Sequence, residues 1–222
     1  MISLRVPIHR ARPRHAWCPW PGLTVLALCA VLTAAAGSAQ SPSGTTHLPG
    51  EASSRAVAAA KAQISYTRHY DPAYRRLAYP NGDVPRDRGV CTDVIVRAFR
   101  HAGFDLQQLV HEDMLGSFRA YPQRWGLSRP DPNIDHRRVP NLMTFFEREG
   151  AALPVPREAR AVRPGDVVAW DLGGGTLHIG IATDERAADG RPLFVHNIGR
   201  GAQLEDILFS WRIIGHYRYL PE

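Results

Sequence analysis

Gly89–Gly103 reads G-V-C-T-D-V-I-V-R-A-F-R-H-A-G, and the fold class turns on this stretch. Val90, Val94, Ile95, Ala98, Phe99 and Ala102 recur at i, i+4, i+5, i+8, i+9 and i+12, the spacing of one apolar face on a helix of 3.6 residues per turn. The period predicts an amphipathic helix from about Val90 to His101, with Gly103 ending it. Upstream, Asp71–Arg88 carries Pro72, Pro80, Pro85 and the Asn81-Gly82 pair, so it reads as a turn-bearing approach. Ala52–Ser65 is Ala-rich and helical by propensity. Downstream, Leu106–Phe118 and Asn141–Arg148 read as helices, with a polar, proline-broken segment between them.

The last third changes character. Asp166–Trp170, His178–Thr183, Pro192–His196 and His216–Leu220 are short β-rich runs separated by Gly and charged turns. Helices first and strands after is an α+β signature, with the Cys91 helix packed on a small antiparallel sheet.

Hydrophobic residues make up 44% and charged residues 22% of the 222, which excludes a disordered or collagen-like chain and a polytopic membrane protein. The +6 charge suggests a nucleic-acid partner until its location is considered. Residues 1–39 hold Arg5, Arg10, Arg12 and Arg14 and no acid; without them the remainder carries only +2, too little for a duplex binder. Those 39 residues have the order of a secretory signal: a cationic start, an apolar run from Leu23 to Ala36, then Gly37, Ser38 and Ala39. The run is shorter than the ~20 residues that span a bilayer, so cleavage near Ala39, export to the periplasm and no lasting membrane anchor are expected. Residues 40–51 read as a linker and 52–222 as a single domain, expected to be a monomer.

Export would remove Cys18 and Cys29 and leave Cys91 alone, so no disulfide framework remains. A lone thiol in an oxidising compartment points to chemistry. Cys91 falls in the first turn of its helix, where unpaired N–H groups and the helix dipole favour a thiolate and an imidazolium would favour it further. The same N–H groups can receive the oxyanion of a tetrahedral intermediate. Its other reading is a small buried apolar residue.

A cysteine nucleophile needs a base and the base an orienting group. His178 opens the run His-Ile-Gly-Ile, and His196-Asn197 ends the next one. Antiparallel pairing sets His196 or Asn197 beside His178, where either fixes its tautomer. Asp93 reads mainly as a helix N-terminal cap. Asp135-His136-Arg137-Arg138 either binds an anionic group of a substrate, through His136 and Arg137, or solvates a loop. Tyr79 either donates to substrate or packs. Cys91, His178, His196 and Asp166 follow no metal-ligand spacing, and Gly173–Gly175 precedes a strand, not a phosphate-binding helix. Neither metal nor cofactor is expected.

Arg163-Pro164-Gly165-Asp166-Val167-Val168, His178-Ile179-Gly180-Ile181 and Val195-His196, after a helix opened by Cys91, resemble the NlpC-type cysteine peptidases, papain-like α+β enzymes that cleave amide bonds in peptidoglycan peptides. The run from Tyr70 to Tyr219 is more closely similar to the YijF-like family of exported bacterial proteins, a domain of unknown function. Tyr79-Pro80-x-Gly82-Asp83-Val84-Pro85, Gly89-Val90-Cys91-Thr92-Asp93, Pro132-Asn133-Ile134-Asp135-His136-Arg137-Arg138-Val139-Pro140, Val195-His196-Asn197-Ile198-Gly199 and Gly215-His216-Tyr217-Arg218-Tyr219 carry that similarity. The resemblance implies Cys91 as nucleophile, His178 as base and His196 as third residue, with a cell-wall or other peptide as substrate and no cofactor. The peptidases carry Asp-Cys-Ser at the nucleophile; here the acid follows, as Cys91-Thr92-Asp93. The expectation is a cysteine peptidase or amidase, the alternatives a non-catalytic binding module of the same fold and an acyltransferase.

Overall fold

The computed structural model describes residues 50–221; the expected signal segment and most of the expected linker lie outside them. Helix α1 (Glu51–Ala62) turns its Ala52, Ala56, Val57 and Ala60 inward. A parallel pair of two-residue strands, β1 (His69–Tyr70) and β2 (Arg88–Gly89), closes the long loop between them. Helix α2 (Cys91–His101) follows at once, then α3 (Leu106–Ser117) and α4 (Val139–Arg148). The chain then forms β3 (Val167–Asp171), β4 (Leu177–Arg186), β5 (Pro192–Asn197), β6 (Ala202–Glu205) and β7 (Arg212–Tyr217).

Those five strands make one antiparallel sheet in the order β6-β5-β4-β3-β7. The architecture is α+β: helices precede the sheet, each strand from β3 to β5 pairs with its successor, and β7 returns to pair with β3. At the β3–β4 turn Gly173, Gly174 and Gly175 all have positive φ, a run that side chains with a Cβ resist.

Strand alternation sorts two cores onto the two faces. Val167, Ala169, Ile179, Ile181 and Val195 pack with the helices, Cys91 among them. Val168, Trp170, Ala182 and Phe194 pack on the other face under Val162, Ile207 and Leu208, and Trp170 anchors that cover by donating from Nε1 to the Leu208 carbonyl at 3.0 Å.

Helix α2 departs from the amphipathic expectation, because Cys91–Phe99 is buried on every side. Its buried charged residues tolerate this by being paired. Arg97 forks onto Asp83 at 2.8 and 3.0 Å, and Asp93 meets Arg137 at 2.9 Å with both side chains under 5% exposed. Three smaller expectations also shift. Helix α4 starts at Val139 because Pro140 serves in its first turn, where a missing N–H costs nothing. Strand β7 ends at Tyr217 rather than beginning near it. Strands β1, β2 and β6 had no counterpart in the sequence reading.

Candidate functional site

Val90, in extended conformation, caps α2, so Cys91 is its first helical residue. Asp93 reaches back to accept the Val90 N–H at 2.6 Å, the capping role expected of an acid in the first turn. Gly89 leaves room for that carboxylate, since a Cβ there would stand 2.9 Å from Asp93 Oδ2. The capping acid is in turn neutralised by Arg137, whose remaining donors go to the carbonyls of Ala73 and Asp71 at 3.0 Å each.

The Asp135–Arg138 cluster is therefore not a solvated loop: Asp135, His136 and Arg137 are buried. Arg137 is an interior counter-ion that ties the approach loop to the start of α2. His136 is buried beside it, with Nδ1 unpartnered. Burial, and then the Arg137 charge, push the His136 imidazole down to about 3. Arg138 pairs with Asp135 at 3.0 Å and covers the Trp125 ring at 4.0 Å.

The sulfur is 4% exposed at the residue level. Backbone N–H groups of Ile179, Thr92 and Cys91 itself favour its anion, but burial outweighs them and Asp93 opposes them, pushing the thiol up to about 12. This corrects the expectation of an easily ionised thiolate. Desolvation removes more than the helix start supplies, and among the described residues no imidazolium acts on the sulfur to restore the balance.

The two histidines do meet. His178 Nε2 lies 2.9 Å from His196 Nδ1, and His196 Nε2 lies 2.9 Å from Glu205 Oε2. A carboxylate only accepts, so His196 carries its proton on Nε2 and presents a bare Nδ1. His178 must then donate from Nε2, which leaves its own Nδ1 unprotonated. Burial, and then the proximity of His196, push His178 down to about 3; burial also lowers His196, against Glu205. Both rings are neutral near pH 7. His178 stacks on Trp170 at 5.9 Å and meets Trp211 edge-on at 6.0 Å.

The sulfur approaches this relay through the backbone. Its donor Ile179 is the residue after His178, and the β4–β5 pairing ends nearby, at Ile181–Val195. Alternation sends Ile179 toward α2 and His178 toward Trp170. Among the described residues no hydrogen bond joins Cys91 to either imidazole.

The other sequence candidates are placed elsewhere. Asn197 points away from the relay, donating to the Gly89 carbonyl at 2.9 Å and so fastening β5 to the residue before the α2 cap. Tyr79 packs edge-on against His111 of α3 at 5.1 Å. Asp166 binds His216 at 2.8 Å and Arg218 at 2.8 Å, in a separate network.

Two residues had escaped the sequence reading. Glu205 sits on the unrecognised strand β6, where no motif marks it. Tyr70, on β1, has its hydroxyl pushed up to about 12 by burial and then by Cys91 and Asp93, which places it in the surroundings of the sulfur.

Comparison with known proteins adds kinship. A family profile described as "Domain of unknown function (DUF1287)" matches residues 57–219, a span that includes Cys91, His178, His196 and Glu205. The chain is 56% identical over 160 residues to the "Uncharacterized protein YijF" of Escherichia coli (strain K12), covering 72% of this chain and 78% of that protein.

Proposed function

The chain belongs to the DUF1287 family of domains of unknown function, and on that footing we propose that it is an exported, papain-like cysteine hydrolase of the NlpC type that cleaves a peptide amide bond in peptidoglycan. The observation that carries this reading is the Glu205–His196–His178 relay, which holds an unprotonated Nδ1 on the residue next to the sulfur's own backbone donor.

In the reaction, Cys91 Sγ attacks the scissile carbonyl carbon as its proton passes to His178 Nδ1. With a thiol near 12 and an imidazole near 3, the resting pair is neutral, so proton transfer accompanies attack instead of preceding it. Sγ and this ring share no hydrogen bond at rest and strand alternation turns them to different faces, so the transfer requires the His178 ring to leave Trp170 and turn round the start of β4. The backbone N–H of Cys91 receives the oxyanion at the helix start. Collapse breaks the C–N bond, the leaving amine takes the proton from His178, and a thioester remains on Cys91. Water then adds to the thioester, giving one proton to His178. The C–S bond breaks and that proton returns to the thiol. His196 and Glu205 hold the tautomer throughout and exchange no proton with substrate.

A second reading rests on the buried sulfur and its missing hydrogen bond to His178: a module that binds wall peptides with the same fold and has no turnover. An acyltransferase would share the thioester and differ in its acceptor. Digestion of purified sacculi separates these. The hydrolase releases peptide fragments that mass spectrometry identifies, and Cys91→Ala abolishes their release while the protein still melts cooperatively. Undiminished release by Cys91→Ala would overturn the reading, and retention on sacculi without release by the wild type would establish the binding module.

A further inference from the structure

The buried His178 ring has three aromatic neighbours, and two of them are fixed. Trp170, inside the sheet on β3, stacks on the ring at 5.9 Å and is tied through its Nε1 to the Leu208 carbonyl. His196, equally buried, meets it at 2.9 Å and is tied to Glu205. Trp211 differs from both. It meets the ring edge-on at 6.0 Å and is only half-buried. The β3–β7 ladder ends at the Asp171–Arg212 pair, one residue short of Trp211, so packing and not strand pairing holds this indole.

A fault in the strand aims it. Val167 pairs with Tyr217 and Ala169 with Gly215, but Trp170 pairs with Ile213, so Ile214 is an extra residue in β7. Tyr217 and Ile214 pack with the helices, while Ile213 and Trp211 pack on the opposite face with Trp170. In an unbroken strand Trp211, an even number of residues from Tyr217, would face the helices too. The bulge turns it over, the re-aiming of a side chain that such insertions perform.

Withdrawing Trp211 would open one wall of His178 and leave the other two standing. Water would reach the ring, while His196 and Glu205 still fixed its tautomer. The ring would also lose the neighbour that confines it against Trp170. One loose wall beside two rigid ones makes a latch.

We propose that Trp211 is a positioning residue that seals His178 from water and latches its ring on Trp170, and that its withdrawal lets the ring turn toward Cys91. The seal is independent of any activity; the turn toward Cys91 rests on the hydrolase reading. Diethyl pyrocarbonate, which acylates unprotonated imidazoles, tests the seal at pH 7, with the modified residues located by peptide mass mapping. Trp211→Ala should speed acylation of His178 by about tenfold or more. His136, buried beside Arg137 and away from this face, should keep its wild-type rate, which a general loosening of the fold would not allow. Trp211→Phe, which keeps an aromatic wall, should restore most of the protection, and Trp211→Leu replaces Trp211→Ala if that variant does not fold. On purified sacculi, Trp211→Ala should release fragments about threefold faster than the wild type or more, as removal of a gate does. Unchanged acylation of His178, or equal acceleration at His136, overturns the seal. Faster acylation without faster digestion, in a wild type that does digest, overturns the latch. If neither protein releases fragments, the hydrolase reading falls and the latch with it, while the seal stands.

Discussion

The sulfur's backbone donor Ile179 and the relay's His178 are neighbours on β4, yet the two sites are built on opposite principles. Around Cys91 the polar partners are backbone N–H groups within an apolar core, and the nearest carboxylate, Asp93, is already committed to Arg137. Around His178 the partners are side chains, leading ring to ring to Glu205, which is 34% exposed. The first arrangement keeps its thiol neutral by desolvation. The second keeps its imidazoles neutral as well, yet passes a defined tautomer inward from the surface. In the proposed hydrolase, a nucleophile that ionises only as it attacks needs a base whose free nitrogen is fixed beforehand, the part assigned there to the relay.

The comparison breaks most severely on the sulfur side. Arg137→Ala leaves the Asp93 carboxylate buried without its counter-ion, and loss of such a partner costs about 3–5 kcal/mol. Urea unfolding should show a correspondingly lower midpoint. Replacing Arg137 and Asp93 together by Met and Asn should recover part of the loss, because the isolated charge is gone.

Acid tests the relay. His178 and His136 have folded values near 3 against an ordinary 6.5. Unfolded chains take up protons below pH 6.5 that the folded rings refuse, so stability present at neutral pH is lost as the pH falls toward 3. Each such imidazole contributes on the order of a few kcal/mol over that window. Urea midpoints at pH 7, 5 and 4 should fall in sequence, and His178→Gln should flatten the slope.

The smallest effect sharpens the contrast without damaging the fold. Native Cys91 should react with iodoacetamide at pH 8 at least about tenfold more slowly than the same residue in urea, since burial withholds the thiolate. Equal rates would mean that the sulfur is open to solvent and ionises normally.

Much of this site was legible along the chain. The apolar period of Val90–Ala102 located α2, and a lone cysteine at its start drew attention to the position that the structure surrounds with N–H donors. Antiparallel pairing of two adjacent runs was enough to put His178 beside His196. The choice between His196 and Asn197 depended on which face of the sheet carries His178, and adjacent residues of a strand face opposite ways. Glu205 lies in Ala202–Glu205, a strand too short and too polar to show a period of two. The Arg137–Asp93 pair joins positions 44 apart, beyond the reach of any local pattern.

By itself the sequence determined the order of helices before strands, the end of α2 at its glycine and the identity of the residues able to do chemistry, because periodicity, turn residues and side-chain type are local properties. Tertiary structure alone decided the charge those residues carry. Ionisation depends on how much water is excluded and which groups are brought near from distant parts of the chain, and here exclusion of water prevails at both the thiol and the imidazoles.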